Sequence, residues 1–263
     1  MKLRLALTPA LLFVLPLQAW QQSLTLDQVL KRVQENVVQF EASLPDFVCT
    51  ESITSSKLSG GIVSKQTVIE STFVGIQKKD KDGRIHYNET RELASVDGKK
   101  AGKGQKLKGP FLLRGGFSGL LSTTFDALMA PHRNYRLESA QSLEGKEVLV
   151  VGFSTKKGQT GIGANFNGKG FLVDDSGKAW IDPDSMQVLR LERLVLNGPR
   201  PFPLWSTWVD YGQVLIGGRL FWMPKFVRSE VRSGNSGQPE GRFTAEYTNY
   251  RKFEVSSGIV SEK

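Results

Sequence analysis

The residue types that carry most protein chemistry are scarce in this chain. It has two histidines, His86 and His132, and one cysteine, Cys49. Neither histidine has a second histidine or a cysteine three or four residues away, the spacing that lets a helix or turn present two zinc ligands together. Asp182 and Asp184 stand two apart without the remaining oxygen ligands of a calcium loop. No metal site is expected. A serine nucleophile held on a tight strand-to-helix turn needs Gly-x-Ser-x-Gly, and Gly116-Phe117-Ser118-Gly119 is one residue short of it. Gly161-Ile162-Gly163 lacks the third glycine and the strand–helix setting of a phosphate-binding turn. Cys49-Thr50-Glu51 could serve a thiol hydrolase, yet Phe47 and Val48 mark the segment as strand core, where a thiol is a small apolar filler. The 26 acidic residues nominate no glycosidase pair. The reading is a non-enzyme with no catalytic residue, no cofactor and no metal.

The informative side chains are aromatic. Trp180, Trp205, Trp208, Phe221, Trp222, Phe226, Phe243, Tyr247 and Phe253 crowd the last third. In a curved sheet such rings either fill a core or line an apolar hollow. If a hollow exists, Trp180, Leu191, Trp208, Trp222, Phe226, Phe243 and Tyr247 are the candidate lining.

One amphipathic helix and many strands would position them. Over residues 25–44, Leu26, Val29, Leu30, Val33, Val37, Val38 and Phe40 recur mostly at three- and four-residue steps, with polar residues between. Thr25 and Gln28 form a capping-box pattern, and Pro45 stops the helix. Leu26, Val29, Leu30, Val33 and Val37 are the stripe of a candidate lid. From about residue 47 the chain reads as roughly ten strands punctuated by turns such as Gly60-Gly61, Asp97-Gly98, Glu144-Gly145, Asp175-Ser176-Gly177 and Gly217-Gly218. Connections so short favour antiparallel pairing, because parallel neighbours need long crossovers. Phe243, Ala245 and Tyr247 share one parity and Arg242, Thr244 and Glu246 the other, which gives a sheet with one apolar and one wet face. The lysine-rich stretch 99–108 and the glycine-rich stretch 158–170 read as mobile loops. Residues 110–131 read as a short helix or lid, with Leu120, Leu121, Phe125, Leu128 and Met129 at helical spacing.

The N-terminus addresses the protein. Lys2 and Arg4 precede an apolar run over residues 5–17, and Ala19 offers a small residue for cleavage. That is the layout of a secretory signal peptide of about residues 1–19, too short for a membrane-spanning helix. The mature part, residues 20–263, reads as one domain, periplasmic or secreted and monomeric. The formal charge is +9, and +7 without Lys2 and Arg4. An exported basic protein meets anionic lipid surfaces or an acidic envelope protein, not nucleic acid.

Gly177-Lys178-Ala179-Trp180-Ile181-Asp182-Pro183, Val188-Leu189-Arg190-Leu191-Glu192, Val209-Asp210-Tyr211, Leu220-Phe221-Trp222-Met223-Pro224 and the run from Phe243 to Phe253 resemble the strand and turn rhythm of LolA-like periplasmic proteins. The resemblance implies a mainly β, α+β fold. Its antiparallel sheet is curved into an unclosed half-barrel, with an amphipathic helix packed on the concave face. It also implies a cavity that takes acyl chains of lipids or lipoproteins. No named binding residue of the family matches position by position. The alternative is an envelope interaction or sensor module on the same scaffold. It would bind through the basic loop or an exposed sheet edge; if through the loop, neutralising Lys99, Lys100, Lys103, Lys106 and Lys108 together abolishes partner capture. The carrier reading expects a continuous apolar cavity.

Overall fold

The computed structural model describes residues 24–81, 85–113, 117, 119–159, 161–166, 169–234 and 236–254. The expected signal peptide, residues 1–19, lies outside them, as does the side chain of His86. The order of elements is α1 (Leu26–Ser43), β1 (Phe47–Ser59), β2 (Ile62–Lys79), β3 (Ile85–Val96), β4 (Lys99–Lys100), α2 (Gly119–Phe125), a 3-10 turn (Ala130–His132), β5 (Arg133–Leu137), β6 (Gln141–Leu143) and β7 (Lys146–Thr155). There follow β8 (Ile162–Phe166), β9 (Lys169–Val173), β10 (Asp175–Ile181), β11 (Val188–Val195), β12 (Leu204–Ile216), β13 (Arg219–Arg232) and β14 (Pro239–Lys252).

Eleven strands run side by side in the order β4-β3-β2-β1-β14-β13-β12-β11-β10-β7-β5, with β6 beside β7, and the ends of this path do not pair. Every pairing is antiparallel, as the short turns require. The mainly β, unclosed antiparallel sheet expected from the sequence is thus the observed fold. Alternation decides its two faces. Phe47, Cys49, Glu51, Ile53 and Ser55 of β1 are buried, as are Phe243, Ala245 and Tyr247 of β14, while Thr50, Ser52, Thr54, Thr244 and Glu246 between them reach solvent. Long strands of 13, 18, 13, 14 and 14 residues (β1, β2, β12, β13, β14) accumulate twist, and bulges at Lys57/Leu58 and Asp210/Tyr211 add to it, so the sheet wraps around its apolar face.

Helix α1 lies in the concavity. Its capping box is formed: the Gln28 amide donates to Thr25 Oγ1, and the Thr25 amide donates to Gln28 Oε1. Val29, Val33 and Val37 are buried in the main core with residues of β1, β2, β11, β12, β13 and β14. Leu26 and Leu30 are half-buried at the edge of that core, and Val38 is exposed.

Three local expectations are corrected. Asp175-Ser176-Gly177 is not a turn but the start of β10. A β-carbon on Gly177 would stand 2.0 Å from the Glu192 carbonyl oxygen and 2.5 Å from the Phe153 ring, so this glycine serves close strand packing. The stretch 158–170 holds most of a two-stranded arm, β8 against β9, whose Ile162 and Val173 pack with Val195 in a small second core. Residues 99–108 begin as β4, and the segment from there to residue 113 crosses the concave face as a strap.

Candidate functional site: a plugged hollow

Three pieces of chain fill the hollow. The strap is fastened at Ser55, whose hydroxyl accepts from the Phe111 amide at 3.0 Å and donates to the Phe111 carbonyl at 2.5 Å. Phe111 then covers Gly241, where a β-carbon would meet its ring carbon at 3.0 Å. Beyond the strap, Phe117 stacks between Phe47 and Phe73, with ring centroids 5.5 and 4.7 Å away, and meets Tyr247 edge-on at 4.9 Å. Helix α2 buries Leu120 and Phe125, and Phe125 stacks on Tyr135 at 6.1 Å. Of the apolar patch expected at helical spacing, Leu120, Leu121 and Phe125 join the main core, whereas Leu128 is exposed and Met129 packs against the small second core.

The third piece, α1, is held by few polar contacts. Asn36 Nδ2 donates to the carbonyls of Ser185 and Met186, both at 2.9 Å, in the β10–β11 turn. At the helix C-terminus, Tyr87 donates to the Leu44 carbonyl at 2.6 Å and Gln77 Nε2 to the Glu41 carbonyl at 3.2 Å. These side chains satisfy carbonyls that the last turn leaves without helical partners.

Between α1, α2 and the sheet lies a small gap of about 10 Å³, lined by Val33, Asn36, Val37, Phe40, Leu121, Met186, Gln187, Val188 and Trp222. That is room for about one water. Among the described residues this narrow seam is far smaller than the continuous cavity expected of a ready-made carrier, because α1, the strap and α2 occupy the volume.

The candidate lining residues divide accordingly. Leu191, Phe243 and Tyr247 belong to the concave core, and Trp222 borders the seam. Trp180, Trp208 and Phe226 are not concave lining. Alternation turns them to the convex face, because their strand neighbours Ala179, Ile181, Val209 and Val227 point inward. There Arg190 lies 4.8 Å over the Trp208 ring and pairs with Asp210, while Trp180 Nε1 donates to Gln141 at 3.1 Å. The lid residues Leu26, Val29, Leu30, Val33 and Val37 all sit on the helix that covers the hollow.

Sequence reading missed two buried ionic clusters at the hollow's floor. In the first, Glu51 is fully buried and its carboxylate accepts from Arg91 Nε at 2.7 Å, Arg91 Nη2 at 2.9 Å, Ser71 at 2.9 Å and Tyr247 at 2.9 Å. Arg91 also lies 4.8 Å over the Phe73 ring. Burial works against the Arg91 charge, but the Glu51 carboxylate outweighs it and raises the guanidinium above its usual range. Burial first, then the Glu51 charge, pushes the Tyr247 phenol well up.

In the second cluster Asp175 takes both Nη atoms of Arg133 at 3.0 Å and the Thr155 hydroxyl at 2.8 Å, with Arg193 Nε 3.1 Å away but off the hydrogen-bond line. Arg193 Nη2 donates to α2, at the Leu120 carbonyl and the Thr124 hydroxyl. Burial lowers Arg193 to about 10, Asp175 opposing and Arg133 adding to that shift. The available signal was parity: Glu51 shares the face of Cys49 and Ile53, and Arg193 that of Leu191 and Val195. A charge on an apolar parity must find a partner, and only the tertiary fold names it.

Among the described residues, Cys49 and His132 each sit without a catalytic partner group. Cys49 is buried, its thiol pushed far up by burial and then by the Glu51 charge. His132 Nδ1 bonds Gln159 at 3.1 Å on an exposed turn. Among the described residues no group of three or more His, Cys, Asp or Glu could hold a metal ion.

Fold and site together define a half-barrel scaffold whose concave face is covered by pieces of its own chain. No protein-family model matches the chain, and no curated protein does. Solved structures to which it is similar include a DUF1329 family protein from Desulfovibrio piger, 13% identical over 87% of this chain and 95% of that one, with a TM-score of 0.43. A LolA superfamily protein from Nitrosomonas europaea is 10% identical over 88% and 97%, TM-score 0.40. A putative outer membrane lipoprotein-sorting protein domain from Vibrio parahaemolyticus is 12% identical over 87% and 94%, TM-score 0.42.

Proposed function

We propose that this chain is an exported binding protein that takes an acyl chain of a lipid or lipoprotein into its hollow, in the place that α1 now fills. The observation that carries the reading is the seam: a mostly apolar joint between two helices, lined on the α1 side by the small side chains Val33 and Val37, with Val29 buried on the same stripe.

The magnitudes allow the exchange. Burying a valine contributes about 1.5 kcal/mol, so the three together hold α1 with about 5 kcal/mol. The half-buried Leu24, Leu26, Leu30 and Phe40 add about as much again, and the side-chain hydrogen bonds to α1 and its turn about 1 kcal/mol each. A chain of about sixteen carbons gains about 0.8 kcal/mol per buried methylene, about 12 kcal/mol in all. The two sides are of one size. Without ligand the helix closes the hollow; with ligand it can be displaced.

The test is native mass spectrometry of the exported protein, followed by solvent extraction and titration with a fluorescent fatty acid. A co-purifying lipid, or saturable fatty-acid binding that α1 truncation alters, supports the reading. Neither lipid nor saturable binding overturns it.

A further inference from the structure

The hairpin of β12 and β13 ends in Gly217-Gly218; its last rung pairs Ile216 with Arg219, and the rung before that pairs Leu215 with Leu220. These two leucines are 61% and 63% exposed, although nothing in a tight turn requires apolar side chains there. Two rungs back toward the sheet, Gln213 pairs with Trp222. Rungs two apart share a face, so Leu215, Leu220 and Trp222 form one stripe. Trp222 borders the seam of α1 and α2. The exposed leucines therefore lie on the Trp222 face of the hairpin, opposite Ile216, Phe221 and Met223, which are buried in the main core.

Cations surround the tip. Arg219 lies 5.6 Å over the Phe221 ring, which holds its guanidinium at the turn. The end of β14 runs beside it: the Lys252 side chain passes 3.4 Å from where a Gly217 β-carbon would stand, and Arg251 precedes it. Lys252 pairs with Glu254 at 3.2 Å, an exposed contact that screening keeps weak. An apolar pair ringed by cations is complementary to one surface, a bilayer with anionic headgroups.

We propose that the β12–β13 tip docks on an anionic lipid bilayer, with Leu215 and Leu220 among the upper acyl segments and Arg219, Arg251 and Lys252 at the headgroups. Docking by this tip brings the Trp222 face of the hairpin toward the membrane. A second exposed pair, Ile62 at 75% and Val63 at 46%, sits on the β1–β2 hairpin. That hairpin has lysines too, Lys57 and Lys65, but its residues are not among those bordering the seam.

Flotation with vesicles tests the assignment. The full mature chain is mixed with vesicles of pure phosphatidylcholine or of equal parts phosphatidylcholine and phosphatidylglycerol, at low and high salt. The wild type floats with the anionic vesicles, less so at high salt. Leu215→Ser with Leu220→Ser lowers the bound fraction about tenfold or more, and Arg219→Ser about fivefold. Ile62→Ser with Val63→Ser, and neutralisation of Lys99, Lys100, Lys103, Lys106 and Lys108, leave it within about twofold of wild type once a lost surface charge is allowed for. Circular dichroism melting confirms that each variant is folded. Absence of flotation by the wild type, or undiminished flotation of the folded double-leucine variant, overturns the proposal. Flotation reads docking and solvent extraction reads cargo, so a chain that floats without carrying lipid separates this inference from the proposed function.

Discussion

Ser55 and Phe111, 56 residues apart, hold each other by two hydrogen bonds: the Ser55 hydroxyl accepts from the Phe111 amide and donates to its carbonyl. One side chain thus satisfies both backbone groups of a strap residue that the sheet cannot pair. The strap crosses the apolar face at the one inward position of β1 near it where a hydroxyl stands. Ser55→Ala leaves both groups without this partner and should reduce stability by about 1–3 kcal/mol. Urea unfolding measures the loss, and limited proteolysis within residues 101–113 should accelerate with it. Unchanged proteolysis would show that the strap is held by Phe111 packing alone.

Asn36 joins α1 to the β10–β11 turn through the carbonyls of Ser185 and Met186. Removing both bonds by Asn36→Ala should favour the displaced helix by about 1.4 kcal/mol, a tenfold rise in the competent fraction. Fatty-acid affinity should tighten about tenfold while melting temperature falls slightly. Weaker binding by this variant would count against α1 as the displaced element.

Glu51 is the acceptor for three different residues at the floor of the sheet. Glu51→Gln removes the charge opposite Arg91 and leaves a guanidinium buried without compensation, which should destabilise the fold by about 3–5 kcal/mol. Phe73, under Arg91, should show the change as altered near-ultraviolet dichroism of the neighbouring rings. The double variant Glu51→Gln with Arg91→Met should recover part of the loss, because it removes both charges.

The Glu41 carboxyl, near the end of α1, is pushed above its ordinary range by burial and then by Asp126, with a hydrogen bond from Ser122 opposing. A raised folded value means the folded chain holds this proton more tightly than the unfolded chain does. Its contribution is therefore present below the ordinary carboxylate value of about 4.3 and is lost as pH climbs through the raised value. Glu138 and Asp182 run the other way. Lys178 and then Arg136 hold the Glu138 carboxyl down, and at Asp182 burial is outweighed by Lys146 and the Ser185 and Asp184 amides. Their contributions fade only as pH falls below the ordinary range. Amide exchange in α1 should accelerate from mildly acidic to neutral pH beyond the intrinsic rate, and Glu41→Gln should abolish that excess. An excess that persists in the variant would assign it to another group.

At Gly177 the approach of β11 leaves no room for a side chain. Gly177→Ala should lower stability by about 2–3 kcal/mol through displacement of the Glu192 carbonyl. Thermal unfolding checks this, and a near-neutral result would mean that β10 and β11 separate easily.

Local patterns in the sequence determined a good deal. The stripe and cap of α1, the parity of β14 and the two-residue turns each depend on neighbours within one turn or one strand, so periodicity and turn chemistry suffice to read them. Those short connections also required antiparallel pairing. What only the tertiary structure decided are the relations between distant segments: that residues 99–113 cross the hollow, that Asp175-Ser176-Gly177 is strand, that Glu51 and Arg193 are buried with partners, and that Trp180 and Trp208 face outward. Their common reason is physical. A residue's face is set by strand parity and bulges counted along the chain, but what covers that face is set by whichever remote piece fills the volume, and no spacing in the sequence encodes that volume.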